Sequence, residues 1–510
     1  MEFVLSKGLA IVHEEETIPI FEGSRGRSWV DITISDPLLL ENIFKWRVDH
    51  EPTSSDHNSV AFSLYTDRKS KPKKNRRFNL KKISILSLRT SLNKEIGNKE
   101  RGKDVDLDKE VEDYVSRIIA ACKNSATVHP ATARKQKWWD KNLEILRSQV
   151  RRAKRKMRNG KDIHVKMKQP FGVHFDVAKT PDRRYFQLSA VQRPDGSLTS
   201  TTEEALHELL EFHFPSDPCQ DSPAHALIRH QSKDPPLTPD DPLFAPPELA
   251  AAVNNIRSKK APGPDGLFGD IVKEAFQTNK PYLLDLFNDC LVQGHFPAKW
   301  KKADLVLFNK SNKKDTVPAA FRRICLLDAI GKILDRLTTQ RIFHHLLKHN
   351  KISAHQYGFT PGRSVPEAII QPKDWIATAR SQKKHGAIIS LHVKNALSRV
   401  WWPLVLHNLK RKACPRNLYN MTASFLDGRS ISFTYGDTVS TKEYSIGCPQ
   451  VSNSGPLYWL LIVNDALEID FGEDVRILAY ADDIYLFVAA TGKHNVKKYA
   501  ETALQKLAVL

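Results

Sequence analysis

Residues 475–488 read Val475-Arg476-Ile477-Leu478-Ala479-Tyr480-Ala481-Asp482-Asp483-Ile484-Tyr485-Leu486-Phe487-Val488. Two apolar, β-prone runs flank a pair of acids, the pattern of a hairpin with carboxylates at its tip. A turn between buried strands fixes such side chains where their charges would otherwise push them apart. Phosphoryl transfer by two divalent ions needs carboxylates clustered in this way, at ion-bridging distance. As a bare dipeptide Asp-Asp says little. Asp240-Asp241 also occurs, inside a Pro-rich stretch, and reads as solvated. The flanking strands are what favour a functional role for Asp482 and Asp483.

The rest of the chain sets the context. Its 510 residues suggest roughly three domains. A hydrophobic fraction of 41% is enough for packed cores. The net charge of +20 makes a polyanion the leading partner, nucleic acid or an anionic membrane surface, with a basic tail on an ordinary domain as the plainer alternative. The 6 cysteines are scattered without a Cys-x-x-Cys pair, which argues against a disulfide framework or a zinc ribbon. No basic stretch followed by an apolar core opens the chain, so no secretory signal is expected. The longest apolar run, residues 457–463, is too short to span a bilayer. An intracellular, soluble protein facing nucleic acid is expected.

Residues 1–64 alternate apolar and polar, as in Trp29-Val30-Asp31-Ile32-Thr33-Ile34, and predict strands around a Gly-rich turn at Glu22-Gly23-Ser24-Arg25-Gly26. The basic stretch at residues 68–77 reads as linker or surface. A helix is expected over residues 138–158, with Leu143, Leu146 and Val150 on one face and Arg147, Arg151, Arg152, Lys154, Arg155 and Lys156 on the rest. Whether that basic face is merely solvated or meets nucleic acid stays open. Pro- and Asp-rich sequence over residues 215–247 predicts a linker or long loop.

An ordered series of motifs then leads to the hairpin. Lys260-Ala261-Pro262-Gly263-Pro264-Asp265-Gly266 follows a helix expected over residues 248–259. Phe296-Pro297-Ala298-Lys299-Trp300 precedes a strand at residues 303–308 that leads to Lys310. Phe321-Arg322-Arg323-Ile324-Cys325-Leu326-Leu327 leads into a helix containing Gly331-Lys332. Gln356-Tyr357-Gly358-Phe359, Gly362-Arg363-Ser364 and Gly447-Cys448-Pro449-Gln450 come next, and Tyr480-Ala481-Asp482-Asp483 closes the series. In this order and spacing the chain resembles the reverse transcriptase of non-LTR (LINE-type) retrotransposons. Trp401-Trp402-Pro403-Leu404 and Asn464-Asp465-Ala466-Leu467 most resemble the arthropod clade that inserts into ribosomal RNA genes.

The resemblance implies an α+β right-hand polymerase, with fingers and palm over residues 245–510. It implies metal-binding roles for Asp482 and Asp483, with two Mg2+ ions as cofactors. Lys310 and Arg322 would grip the triphosphate of a deoxynucleoside triphosphate, and Gln450 would touch the nucleotide. An RNA template and a DNA primer or target are the implied partners, no membrane is expected, and the nucleus or cytoplasm is the expected location.

Several positions depart from that pattern. The family's first catalytic Asp opens an Asp-x-x-x-Ala-Phe motif. The matching stretch is Leu391-His392-Val393-Lys394-Asn395-Ala396-Leu397, so His392 stands at the Asp position. Magnesium prefers hard oxygen ligands, and imidazole is a poor substitute. Leu397 replaces the Phe that screens against the ribose 2′-hydroxyl, Val451 replaces a Gly, and Arg323 replaces a Pro. The chain ends soon after the hairpin, so the rest of the palm, the thumb and a Cys/His-rich segment are expected to be missing.

Residues 1–66 resemble the C-terminal end of the endonuclease such elements carry, an α/β sandwich of the endonuclease/exonuclease/phosphatase type. Phe21, Ser28-Trp29-Val30-Asp31-Ile32-Thr33 and Ser55-Asp56-His57-Asn58 carry that likeness, and Asp31, Asp56 and His57 inherit its site positions. Residues 67–165 would be a basic, largely helical linker and residues 166–244 an N-terminal extension of the polymerase. Lys137-Trp138-Trp139 and Pro170-Phe171-Gly172 look like family sequence with a shortened interval between them. Together these features suggest a decayed copy whose catalysis is impaired. The rivals are a pseudo-polymerase that only binds nucleic acid and a remnant with no selected function.

Overall fold

The structure, a computed structural model, describes residues 10–12, 19–23, 26–28, 33–35, 43–49, 59–64, 83–98, 106–125, 188, 190–258, 260–310 and 316–508. Asp31, Asp56 and His57 lie outside these, as do the basic stretch at 68–77, the expected helix at 138–158, and the motifs at 137–139 and 170–172. The chain divides into two units. One comprises residues 1–72 with 128–185, the other residues 73–127 with 186–510.

The first unit holds β1 (Ala10–Val12), β2 (Phe21–Gly23), β3 (Gly26–Ser28), β4 (Thr33–Ser35), β5 (Ile43–Asp49) and β6 (Ser59–Leu64). They pair antiparallel as β1 with β4, β2 with β3 and β5 with β6. Ile20, Trp46 and Val48 form a small core, and the Trp46 indole N–H donates to Thr33 Oγ1 at 2.9 Å. Among the described residues the strands expected here appear as short antiparallel pieces, with Gly23 opposite Gly26.

The second unit is α+β. Its strands are β7 (Lys302–Asn309), β8 (Phe321–Leu327), β9 (His385–His392), β10 (Ser430–Tyr435), β11 (Thr438–Glu443), β12 (Val475–Tyr480) and β13 (Asp483–Ala490). One sheet runs β11-β10-β7-β8 and another β12-β13-β9. The second sheet is antiparallel throughout, with β13 in the middle. That position explains why β13 reads as a continuous apolar run, Ile484 and residues 486–490 being buried. Helices Gly455–Leu467 and Lys493–Ala508 pack on this sheet, as does helix Val365–Ser381. The last inserts Trp375 beside Phe487, Leu478 and Tyr357. Its start is fixed by Glu367, whose carboxylate accepts from the Ser364 amide at 2.7 Å and from the Ser364 hydroxyl at 3.0 Å.

Three readings from the sequence need correction. The helix expected over 248–259 spans Pro246–Asn254 and is capped at Asn255, where the chain leaves the helix in a turn. Residues 215–247 are not a free linker, because they contain helix Pro223–Gln231 and are bound to the folded body. Thr238 donates to the Cys414 carbonyl at 2.6 Å, and Phe244 is buried with its amide on Asn288. Nor is Asp240-Asp241 simply solvated. Asp240 pairs with Arg416 at 2.7 Å, and Asp241, largely buried, meets Arg341 at 2.6 Å while its amide donates to Asn417. Among the described residues, no helix is long and apolar enough to cross a membrane.

Candidate active site

The β12–β13 hairpin closes through a two-residue turn, with Tyr480 opposite Asp483 and Ala481-Asp482 at the tip. Ala481 has φ +56°, at a hairpin position where Gly is usual. Neighbours hold the turn in place. Trp459, from helix Gly455–Leu467, donates its indole N–H to the Ala481 carbonyl at 2.8 Å. The segment carrying Gln356-Tyr357-Gly358 runs alongside β12, with Tyr357 N–H on the Ala479 carbonyl at 2.9 Å and Ala479 N–H on His355 at 3.0 Å.

On the other side of the hairpin, β9 ends at His392, directly opposite Asp483 in the β9–β13 register. The Val393 amide donates to the Asp482 carbonyl at 3.0 Å, extending the pairing to the tip. His392 Nδ1 lies 3.1 Å from Asp483 Oδ1 and 3.7 Å from Asp482 Oδ2. One ligand atom from each residue lies within 4.8 Å of the others, and all three side chains are partly open to solvent.

His392 and Asp482 border a cleft of about 820 Å³. Its wall includes Lys310, Arg322, Lys394, Gln450, Leu397, His392 and Asp482. Strand alternation sorts the neighbours on β8, Arg322 facing out while Phe321 and Arg323 are buried. Lys310 Nζ also donates to the Ala319 carbonyl at 3.1 Å. The turn after β9 places Leu397, whose carbonyl accepts from the Cys448 amide at 2.8 Å. Gly447 is required beside it. Its φ is +84°, and a Cβ there would lie 2.6 Å from the Ser398 carbonyl oxygen.

Gln450 is tied to β8, its carbonyl accepting from the Cys325 amide at 3.3 Å. Next to it Val451 has φ +89°, which is strained for a β-branched residue. Val451 is exposed and does not line the cleft. Beneath this loop, buried Asp335 accepts from the Asn453 amide at 2.7 Å, and Asn453 in turn donates to the Lys332 carbonyl. The loop is thereby anchored to helix Ala329–Lys348.

Burial shapes three further groups. Arg323 donates to the His213 carbonyl and lies 4.9 Å from the Phe214 ring centre. Desolvation lowers its pKa, and no carboxylate among the described residues pairs with it. His213 is pushed down to about 3, first by burial and then by Arg323 and Lys310, so its imidazole is neutral at pH 7. In the Lys-Ala-Pro-Gly-Pro-Asp-Gly segment, the Asp265 amide donates to Asp328 Oδ1 at 3.0 Å. Burial raises both of these carboxyls, Asp265 well above the usual range and Asp328 to about 6.

The donor set decides what ion it can hold. A carboxylate has two oxygens and can bridge two ions, whereas an imidazole nitrogen offers one lone pair. With His392 in the set, one of the three positions offers a single nitrogen and no bridging oxygens, which suits a bridged magnesium pair less well than a carboxylate there would.

Residues 310–509 match the family described as reverse transcriptase (RNA-dependent DNA polymerase). These residues are thus similar to reverse transcriptases, and the curated relatives that match the chain come from non-LTR retrotransposons. Among curated proteins, the chain is 25% identical to a Retrovirus-related Pol polyprotein from type-1 retrotransposable element R1 of Bradysia coprophila, over 99% of this chain and 53% of the relative. It is 25% identical to a putative 115 kDa protein in the R1DM element of Drosophila melanogaster, over 96% of this chain and 50% of that one. It is 30% identical to the RNA-directed DNA polymerase from mobile element jockey of Drosophila melanogaster, over 46% of this chain and 26% of that protein. The chain thus spans about half the length of the R1-type relatives it matches. The mixed helices and strands of the second unit fit fingers and palm of this family, whose members use divalent metal ions.

The structure brings His392, Asp482, Lys310, Arg322, Leu397 and Gln450 to one cleft, with Asp483 beside His392, and leaves Val451 off its wall. Lys394, Trp459 and Asn453 escaped the sequence reading. Only Lys394 carried a usable signal, a cation two residues beyond His392 in the turn that follows β9.

Proposed function

We propose that the cleft is the nucleotide site of an RNA-directed DNA polymerase whose parent element copied RNA into DNA from a primer at a nicked chromosomal target. The observation that carries this is the β9–β13 register, which sets His392 and two carboxylates against a wall bearing Lys310, Arg322 and Lys394. The three cations suit a triphosphate and the template–primer backbone, Gln450 lies where a nucleotide would be read, and Leu397 lies where its sugar would be screened. RNA template, DNA primer and deoxynucleoside triphosphates are then the substrates, and a chromosomal target implies action in the nucleus. Residues 1–66 would be the end of the element's endonuclease, with Asp31, Asp56 and His57 at its site. Residues 67–165 would form a basic connector and residues 166–244 an extension of the polymerase at 245–510.

Catalysis in this chain would be impaired, because His392 removes one carboxylate from the set and what is left suits the family's two-magnesium arrangement less well. A second reading, a pseudo-polymerase that holds nucleic acid without chemistry, is favoured by the same donor set. The test combines template–primer binding with primer extension on a homopolymer RNA template, with and without magnesium. Binding with very slow extension is expected. Failure to bind template–primer overturns the polymerase reading, and brisk extension by the unmodified chain overturns the impairment.

A further inference from the structure

We infer that His392, Asp482 and Asp483 form a site for a single divalent transition ion of the zinc or cobalt kind. This goes beyond the polymerase reading and stands on the three side chains alone. The ligand chemistry points away from magnesium. Imidazole suits zinc, copper, iron and nickel, whereas magnesium keeps to oxygen ligands in near-octahedral geometry.

The spacing also fits. Bonds of about 2.0–2.2 Å to zinc place neighbouring ligand atoms of a tetrahedron about 3.3 Å apart. His392 Nδ1 stands 3.1 Å from Asp483 Oδ1 and 3.7 Å from Asp482 Oδ2, and all three ligand atoms lie within 4.8 Å of one another, so an ion seated among them would take the place of the His392–Asp483 hydrogen bond. The backbone is already fixed. His392 and Asp483 are opposite each other in the register, and Asp482 is tied by its carbonyl to the Val393 amide. Because all three side chains are about half exposed and two of them, His392 and Asp482, line the cleft, the ion's remaining position stays open. Water or a phosphate oxygen from a nucleotide in the cleft would complete the shell, as in zinc sites that keep an open position.

The test uses the full chain, with Co2+ as a visible probe and Zn2+ followed by calorimetry against Mg2+. The chain has 19 histidines, so specificity must come from variants. Expected is one Co2+ site with the absorption of a low-coordinate ion, displaced by Zn2+ and little affected by millimolar Mg2+. His392→Ala should weaken that site by about tenfold or more, since even outer partners of metal ligands are worth that much. Asp483→Asn should weaken it as well, while His345→Ala, on a histidine outside the cluster, should leave it unchanged. His392→Asp should lose the Co2+ absorption and shift preference towards Mg2+. The inference is overturned if His392→Ala binds Co2+ and Zn2+ like the unmodified chain, or if millimolar Mg2+ displaces the probe. Neither result bears on template–primer binding, which tests the polymerase reading separately.

Discussion

Gly358 lies against the tip of the β12–β13 hairpin so closely that a Cβ on it would stand 1.8 Å from the Ala481 amide nitrogen. The obstruction is backbone, which cannot rotate away as a side chain could. Gly358→Ala should therefore push the turn carrying Asp482 out of place and destabilise the fold, by about 1–3 kcal/mol as for other overpacked sites. Urea unfolding measures the cost. Wild-type stability in this variant would mean the hairpin and the Gln356–Gly358 segment are not in contact.

Val451→Gly should act in the opposite direction. At φ +89° a branched side chain is strained, while Gly adopts that conformation freely. Leaving the left-handed region's penalty of roughly 1–2 kcal/mol, less Gly's greater unfolded-state entropy, gives a gain of about 0.5–1 kcal/mol. A thermal unfolding midpoint that drops on substitution would contradict this.

How much of this was legible in the sequence depends on how far away the partners lie. The hairpin is encoded locally, because its apolar runs and acid pair are adjacent, and the structure builds it where those runs predict. The position of His392 beside it could be read only through the order of motifs, since nothing local joins residue 392 to residue 483. Residues 215–247 misled because Pro and Asp mark a turn-rich chain without revealing what binds it. The groups that do, Arg341, Asn417 and Asn288, sit far along the sequence. The burial of Asp265 was hidden for the same reason, its partner Asp328 being 63 positions away.

That pair should make stability pH-dependent. Both carboxyls have raised pKa values when folded, so the folded state binds protons more tightly than the unfolded chain does. Their contribution is complete below the ordinary value of 3.8, and the Asp328 share is lost as pH rises through about 6. Asp265→Asn imitates the protonated form and keeps an oxygen for the Leu267 amide. The variant should match or trail the parent chain at pH 4.5 and exceed it at pH 7.5. Melting curves at the two pH values check this, and an equal gap at both would show that the pair does not share a proton.

The last prediction concerns what repairing the site restores. The His392 position contributes one ligand lone pair and no negative charge where the family motif has a carboxylate. Removing a single preorganised electrostatic group typically costs about 3–4 kcal/mol, a factor of several hundred in rate. His392→Asp should therefore raise primer extension by about that factor over the unmodified chain, provided the rest of the cleft is competent. The strand geometry favours the repair, because residue 392 is already opposite Asp483 and an Asp there needs no backbone movement. Val451→Gly, added to it, relieves strain beside Gln450 without touching the cleft wall. The double variant should then gain mainly in stability, with little further gain in rate. Primer extension by the parent chain, by His392→Asp and by the double variant separates the cases. Activity that appears only in the double variant would mean that the Gln450 loop limits turnover. Equal extension by the parent chain and His392→Asp would mean that the carboxylate at 392 is not what the chemistry lacks.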